Sequence, residues 1–389
     1  MNEKNTCKIC GHGLFLKPIL QYQNMPSVAQ HLPDAESVKE DKGVDLDIYQ
    51  CSGCGLVQLD IEPVPYYKEV IRAVGVSKEM TKFRNKQFGD FVKKYNLSGK
   101  KIIEVGSGRG EYLELMAKQG VQAFGLEFAE AAVKESKEKG LDVAQGFVDD
   151  ENYKIPNGPF DAFFIISFFE HLPNPNVALR GIYNNLVDGG IGIVEVPNFD
   201  MMLREHLFSE FMSDHLFYFT KATLATALEL NGFEILSMEE VWHNYIISAT
   251  VRKIPGLKAK IFSGAAEKID LSSFSEYENK IRADLNNYLS QHKKVAIWGA
   301  GHQAFAIMAI MELGGRIKYI LDSAPFKQGK FSPASHIPIV SPDTLNSDPV
   351  DAVIIMAGSY SDEIKKIMRE KYNPQIKTVI LRESGLEVV

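Results

Sequence analysis

The sequence predicts an α/β protein built of two doubly wound, mostly parallel sheets behind a small cysteine-bearing module. Three observations carry that expectation. Short apolar runs alternate with helical patterns twice over, from about residue 78 and again from residue 295, and such alternation builds a parallel sheet covered on both faces. In each series the first strand runs into closely spaced glycines, at 106–110 and at 299–301. The four cysteines of the 389-residue chain form two close pairs, Cys7/Cys10 and Cys51/Cys54.

In chain order, residues 1–75 hold the cysteines with several Pro and Tyr and little helical periodicity, the pattern of a loop-rich module organised by a metal. Residues 76–257 form the first α/β unit. Helix is expected at 78–95, strand at 101–105, helix at 112–119, strand at 123–126, helix at 130–139, strand at 162–166, helix at 177–186 and strand at 191–196, with Gly189 and Gly190 as the turn before the last. Residues 258–289 become charged and helical, as a linking helix would. The second unit closes the third region, 258–389. It runs strand 295–298, a tight turn at 299–301, helix 303–313, strands 317–321 and 352–356, helix 361–371 and strand 378–381.

Composition removes several function classes. A net charge of −7, with lysines interspersed among acids, argues against a surface for nucleic acid. Residues 1–10 are polar and lack the apolar run of a secretory signal, and no stretch approaches the roughly 18 apolar residues of a spanning helix. A soluble, cytoplasmic protein with no membrane partner is expected, as a monomer or small homo-oligomer. In such a compartment paired CxxC units point to a metal rather than to disulfides. Cys7, Cys10, Cys51 and Cys54, each pair followed by glycine, supply four thiolates and leave no open position, which describes a closed structural zinc site. Buried or redox-active thiols are the alternative.

KIIEVGSGRG at 101–110 is a strand that enters a turn at Gly106, Gly108 and Gly110. Glycine lets the backbone approach a ligand at the carboxyl end of the first strand, where open α/β sheets bind their ligands. Glu127 closes the next strand, and its paired acceptors suit two ribose hydroxyls. This much fits a dinucleotide as well as an adenosyl cofactor. Phe128, Phe147 and Ser167 are assigned to the same cofactor site. Further on, SFFEHLPNP at 167–175 puts Glu170 and His171 at the same sheet edge.

Glu104 just before the first glycine, together with the EHLPNP segment, resembles class I methyltransferases, in which the acid lies near the methionine part of S-adenosylmethionine. With the two CxxC units and a C-terminal Rossmann-like unit opening VAIWGAGH at 295–302, nearly the whole chain resembles the deoxysugar C-methyltransferases. The resemblance implies a dTDP-linked 4-keto sugar as substrate and a base that removes the proton beside the ketone. It places that base at His215, with Asp214 for the family glutamate, the second histidine at His171 and a tyrosine at Tyr67 or Tyr66. Met212 and Ser213 depart from the family's Tyr-His, which leaves O- or N-methylation open. Gly299, Gly301 and His302, at a helix start suited to a pyrophosphate, and Asp322, at the next strand end, are the expected substrate-binding residues. An NAD-dependent oxidoreductase and a non-catalytic binding protein are the competing readings.

Overall fold

The computed structural model describes residues 6–70, 77–256, 262–382 and 385–389. The chain divides into two compact units. The first takes Met1–Lys17, Tyr49–Met201 and His215–Lys268; the second takes Pro18–Ile48, Met202–Asp214 and Ile269–Val389. Near the N-terminus, β1 (Leu20–Met25) runs antiparallel to β2 (Val44–Gln50), with Leu20 opposite Ile48 and Met25 opposite Val44. The strand β3 (Val57–Leu59) follows in the first unit.

In that unit the order is α1 (Lys78–Lys94), β4 (Lys101–Val105), α2 (Glu111–Ala117), β5 (Gln122–Glu127), α3 (Glu130–Glu138), β6 (Asp142–Gln145), β7 (Phe160–Ile166), α4 (Pro175–Asn184) and β8 (Leu186–Pro197). After α5 (Phe199–Arg204) come β9 (Phe217–Tyr218), α6 (Lys221–Leu230), β10 (Phe233–Val241) and β11 (Ile246–Lys253). The sheet order is β10-β11-β8-β7-β4-β5-β6; the five strands from β8 to β6 are parallel, and β11 and β10 complete the edge antiparallel. Alternate side chains of β7 feed two cores. Ala162, Phe164 and Ile166 join Phe88 of α1 and Leu113 of α2, whereas Phe163 and Ile165 join Leu179 of α4 and Leu224 of α6. Burial on both faces explains why FDAFFII reads as an unbroken apolar run.

In the second unit α7 (Ser272–Ser290) precedes β12 (Val295–Trp298), α8 (His302–Ile310), β13 (Tyr319–Leu321), β14 (Ile339–Val340), α9 (Thr344–Ser347), β15 (Ala352–Ile355), α10 (Ser361–Lys371), β16 (Lys377–Arg382) and β17 (Gly385–Val388). Its sheet order is β14-β13-β12-β15-β16-β17, parallel but for β17. β12, at its centre, delivers the second glycine turn.

Two expectations change. Residues 258–261 lie outside the described residues, and 262–271 are not helical, so the linking helix begins at Ser272. The Ala266 N–H donates to Ser52 O and the Gln50 amide to Glu267 O, so this stretch spends hydrogen-bonding groups on the cysteine module instead of on a helix. Gly189 and Gly190 lie inside β8 rather than before it. The left-handed φ of 74° at Gly189 accompanies a register shift in which Leu186 faces Phe160 but Ile191 faces Ala162.

Candidate active site

β4 ends at Val105, and the chain turns through Gly106, Gly108 and Gly110 with φ of 76°, 54° and 81°. A Cβ at Gly106 would stand 2.4 Å from the Phe168 ring, so no side chain fits there and the peptide stays bare to an approaching ligand. Glu104 is wholly buried on β4. Glu127, buried at the end of β5, accepts the Gly108 N–H at 2.7 Å through Oε2 and the Ala129 N–H at 2.9 Å through Oε1. Burial raises its carboxyl above the usual range, while the Ala129, Gly108, Phe128 and Val70 N–H groups pull it back down.

Beside this turn lies a pocket lined by Lys68, Val105, Gly106, Leu126, Phe128, Gly146, Phe147, Val148, Phe168, Leu172 and Ala178. Phe147 stands edge-on to Phe128 and Phe168, at 6.2 and 6.3 Å between centroids, and Tyr67 packs edge-on against it at 5.9 Å. The Lys68 ammonium lies 4.8 Å from the Phe147 centroid and 3.0 Å from Asp149. Tyr67 is thus placed beside the expected cofactor aromatics.

At the end of β7, Ser167 has a left-handed φ of 48° and an exposed side chain. Such backbone is costly for a residue with a Cβ and is concentrated at functional sites. A 3-10 turn, Phe169–His171, follows. His171 and His215 meet with ring centroids 4.7 Å apart at 78°, and the Phe168 ring that covers Gly106 is 6.4 Å from His171. The His215 segment is held there by the Leu216 N–H bonded to Glu170 O at 3.0 Å, and by Phe219 stacked on Phe169 at 5.3 Å. Both imidazole Nε2 atoms lie 4.0 Å from Oε1 of Glu170. Glu170 is fully buried, neither of its oxygens has a hydrogen-bond partner, and burial pushes its carboxyl up to about 8. Asp214 points its Oδ1 at the Ala29 N–H, at 3.0 Å, and at the Ser213 hydroxyl, at 3.4 Å.

Cys7, Cys10, Cys51 and Cys54 are free thiols whose sulfur atoms all lie within 4.8 Å of one another. Cys7 and Cys54 are separated by 3.6 Å, and Cys10 and Cys51 by 3.4 Å. A tetrahedral zinc with bonds of about 2.3 Å spaces its sulfurs by about 3.8 Å, so the group is arranged as a metal would require. The Asn176 amide of α4 donates to Lys8 O and Ile9 O, which ties this module to the helix that follows His171.

Against known proteins, residues 77–238 match the family model described as a methyltransferase domain, and residues 263–381 match the C-methyltransferase C-terminal domain. The C-methyltransferase NovU of Streptomyces niveus is 25% identical over 384 residues, covering 92% of this chain and 90% of that protein. The chain is an S-adenosylmethionine-dependent methyltransferase with a C-methyltransferase C-terminal domain. A ubiquinone biosynthesis O-methyltransferase of Chromobacterium violaceum is 32% identical over 108 residues, only 26% of this methyltransferase and 46% of that protein. Among solved structures, an S-adenosylmethionine-dependent methyltransferase from Clostridium acetobutylicum aligns with a TM-score of 0.40 and 14% identity, over 49% of this chain and 96% of its own. No helix among the described residues of the methyltransferase is long and apolar enough to cross a membrane.

In the second unit of the methyltransferase, Gly299 has φ of 128°, and a Cβ there would stand 2.3 Å from Met356 O. Gly301 caps α8, and His302 opens it with Nε2 3.8 Å from Glu210. Asp322 accepts the Ala300 and Ala324 N–H groups, at 3.0 and 2.8 Å, and pairs with Lys327 at 3.3 Å. Its carboxylate therefore braces the glycine turn. Sequence reasoning left three site-lining residues out of its assignments. Phe168 and Lys68 carry no motif, and Glu170 was visible beside His171, but its burial was not.

Proposed function

We propose that this enzyme moves a methyl group to the carbon beside a ketone of a nucleotide-linked deoxysugar, with His215 as the base. The observation that carries the reading is the meeting of His171 and His215 next to Phe168, the residue whose ring covers the first glycine turn. A base at that edge stands beside the cofactor cradle. S-adenosylmethionine, when bound, supplies an electrophilic methyl group. Gly106, Gly108 and Gly110 offer bare backbone to it, Glu127 offers a carboxylate to the ribose hydroxyls, and Phe128 and Phe147 offer apolar faces for the adenine. The Glu104 carboxylate would face the methionine portion.

Carbon as the acceptor suits a histidine. A proton next to a ketone is acidic enough for a base of near-neutral pKa, and general-base help is worth roughly a hundred- to ten-thousand-fold. His171 beside it gives the developing enolate oxygen a hydrogen-bond donor. In the second unit, the bare turn at Gly299 and Gly301 and the start of α8 at His302 suit the pyrophosphate of the carrier. The four cysteines suit a structural zinc, which would fold the module around them and take no part in the chemistry.

The test is solvent exchange. A dTDP-4-keto-deoxysugar incubated with enzyme in deuterium oxide should lose the proton next to its ketone, and His215→Ala should abolish that loss. Methyl transfer to a hydroxyl or amino sugar without exchange at any keto sugar would move the reaction to oxygen or nitrogen.

A further inference from the structure

Among the described residues, the carboxyl group within ion-pair distance of both imidazoles belongs to Glu170, while Asp214, the residue in register with the family glutamate, is engaged elsewhere. Asp214 Oδ1 is taken up by the Ala29 amide and the Ser213 hydroxyl. Glu170 sits differently. Its side chain is wholly buried, its oxygens accept no hydrogen bond, and one of them lies 4.0 Å from Nε2 of His171 and 4.0 Å from Nε2 of His215. Those two rings are the ionisable groups within ion-pair distance of it among the described residues. His171 comes from its own turn and His215 from the segment bonded to that turn through Leu216 N–H and Glu170 O.

A buried carboxyl group with no partner is expensive to keep. A lone packing role would be filled as well by an apolar residue of the same length. From these distances we infer that Glu170 is the positioning residue of the pair, engaging Nε2 of His215 or of His171 and thereby fixing which ring nitrogen is left basic.

The inference rests on His215 as the base. In the working state the dyad has lost one proton: the His215 ring carries its proton on Nε2, directed at the Glu170 carboxylate, and Nδ1 holds the lone pair. Nδ1 takes the proton from the substrate carbon, the C–H electrons remain on the substrate as its enolate, and the positive charge gained by the ring is balanced by the carboxylate. Passage of the Nε2 proton to Glu170 returns the ring to neutrality, so no further reactant is needed. One oxygen equidistant from two rings serves only one of them at a time. His171 is then the alternative partner when His215 turns to substrate.

The experiment is a histidine titration by NMR on the zinc-replete full chain with S-adenosylhomocysteine present. His171→Asn and His215→Asn assign the two ring signals, and wild type is compared with Glu170→Gln and Glu170→Asp. The carboxyl, pushed up to about 8 by burial, ionises above the usual imidazole range, and its charge then favours the protonated ring. At least one of the two ring signals should therefore show, after its own step, a second step near pH 8, which Glu170→Gln should remove and Glu170→Asp should keep. A second step that persists in a Glu170→Gln protein that still binds S-adenosylhomocysteine and keeps its near-UV dichroism, or that is absent from both rings of the wild type, would overturn the inference. Because the readout needs no substrate, a Glu170-dependent step in an enzyme that exchanges no proton from a keto sugar would sink the substrate reading and leave the role of Glu170 standing.

Discussion

Glu127→Gln separates a cofactor-binding carboxylate from a structural one. The Glu127 oxygens each accept one backbone N–H, from Gly108 in the glycine turn and from Ala129 just before α3. The amide can accept only one of these through Oε1, and its NH2 group faces the other N–H as a second donor. One charge-assisted bond is lost and one buried N–H is left unsatisfied, a cost of about 2–3 kcal/mol to the folded protein. Ribose hydroxyls that would have donated to a carboxylate meet a weaker, neutral acceptor. A further loss of about 1.5–3 kcal/mol, or roughly ten- to a hundred-fold in Kd, is expected in affinity for S-adenosylhomocysteine. Isothermal titration calorimetry measures the Kd and thermal melting of the ligand-free protein measures the first cost. A Glu127→Gln protein within twofold of wild-type affinity would show that the carboxylate serves only the loop.

Three further outcomes follow from the same structure. Gly106→Ala must hold φ near 76° with a Cβ against Phe168; the left-handed backbone alone costs about 1–2 kcal/mol, so a lower melting temperature and weaker cofactor affinity should both appear in melting and calorimetry. Arg84 and Glu195 form a fully buried ion pair with Gln87 on the other oxygen, and Arg84→Ala, which strands the carboxylate, should destabilise by about 3–5 kcal/mol in urea unfolding. The Glu170 carboxyl stays protonated in the folded chain up to about pH 8, yet ionises near its ordinary value once unfolded. The unfolded chain then holds fewer protons between those values, so stability falls as pH rises across this window, and Glu170→Gln should flatten that fall by on the order of 4 kcal/mol in unfolding series run at several pH values.

Much of the architecture was written in local pattern. Strand β4, its glycines and Glu127 announce themselves because apolar run, turn and acidic strand end are sequence neighbours, and the helix at 361–371 was bounded correctly by its periodicity. The meeting of His171 with His215 joins residues far apart in the chain; the resemblance suggested that pairing, and composition did not. What escaped depends on tertiary burial. Glu170 looks like any polar residue in a turn until the sheet edge closes over it. Residues 262–271 look helical until Ser52 O and Gln50 claim them. The antiparallel β10–β11 pair went unread, and three consecutive left-handed residues, Trp242, His243 and Asn244, turn the chain between its strands without a glycine.

The most direct test of carbon methylation uses S-adenosylmethionine labelled with carbon-13 in its methyl group and a dTDP-4-keto-deoxysugar, with the product read by NMR. The account predicts a labelled methyl bonded to the ring carbon beside the ketone, absent with His215→Ala. A label found on oxygen or nitrogen, or a donor left intact with every keto sugar supplied, would contradict it.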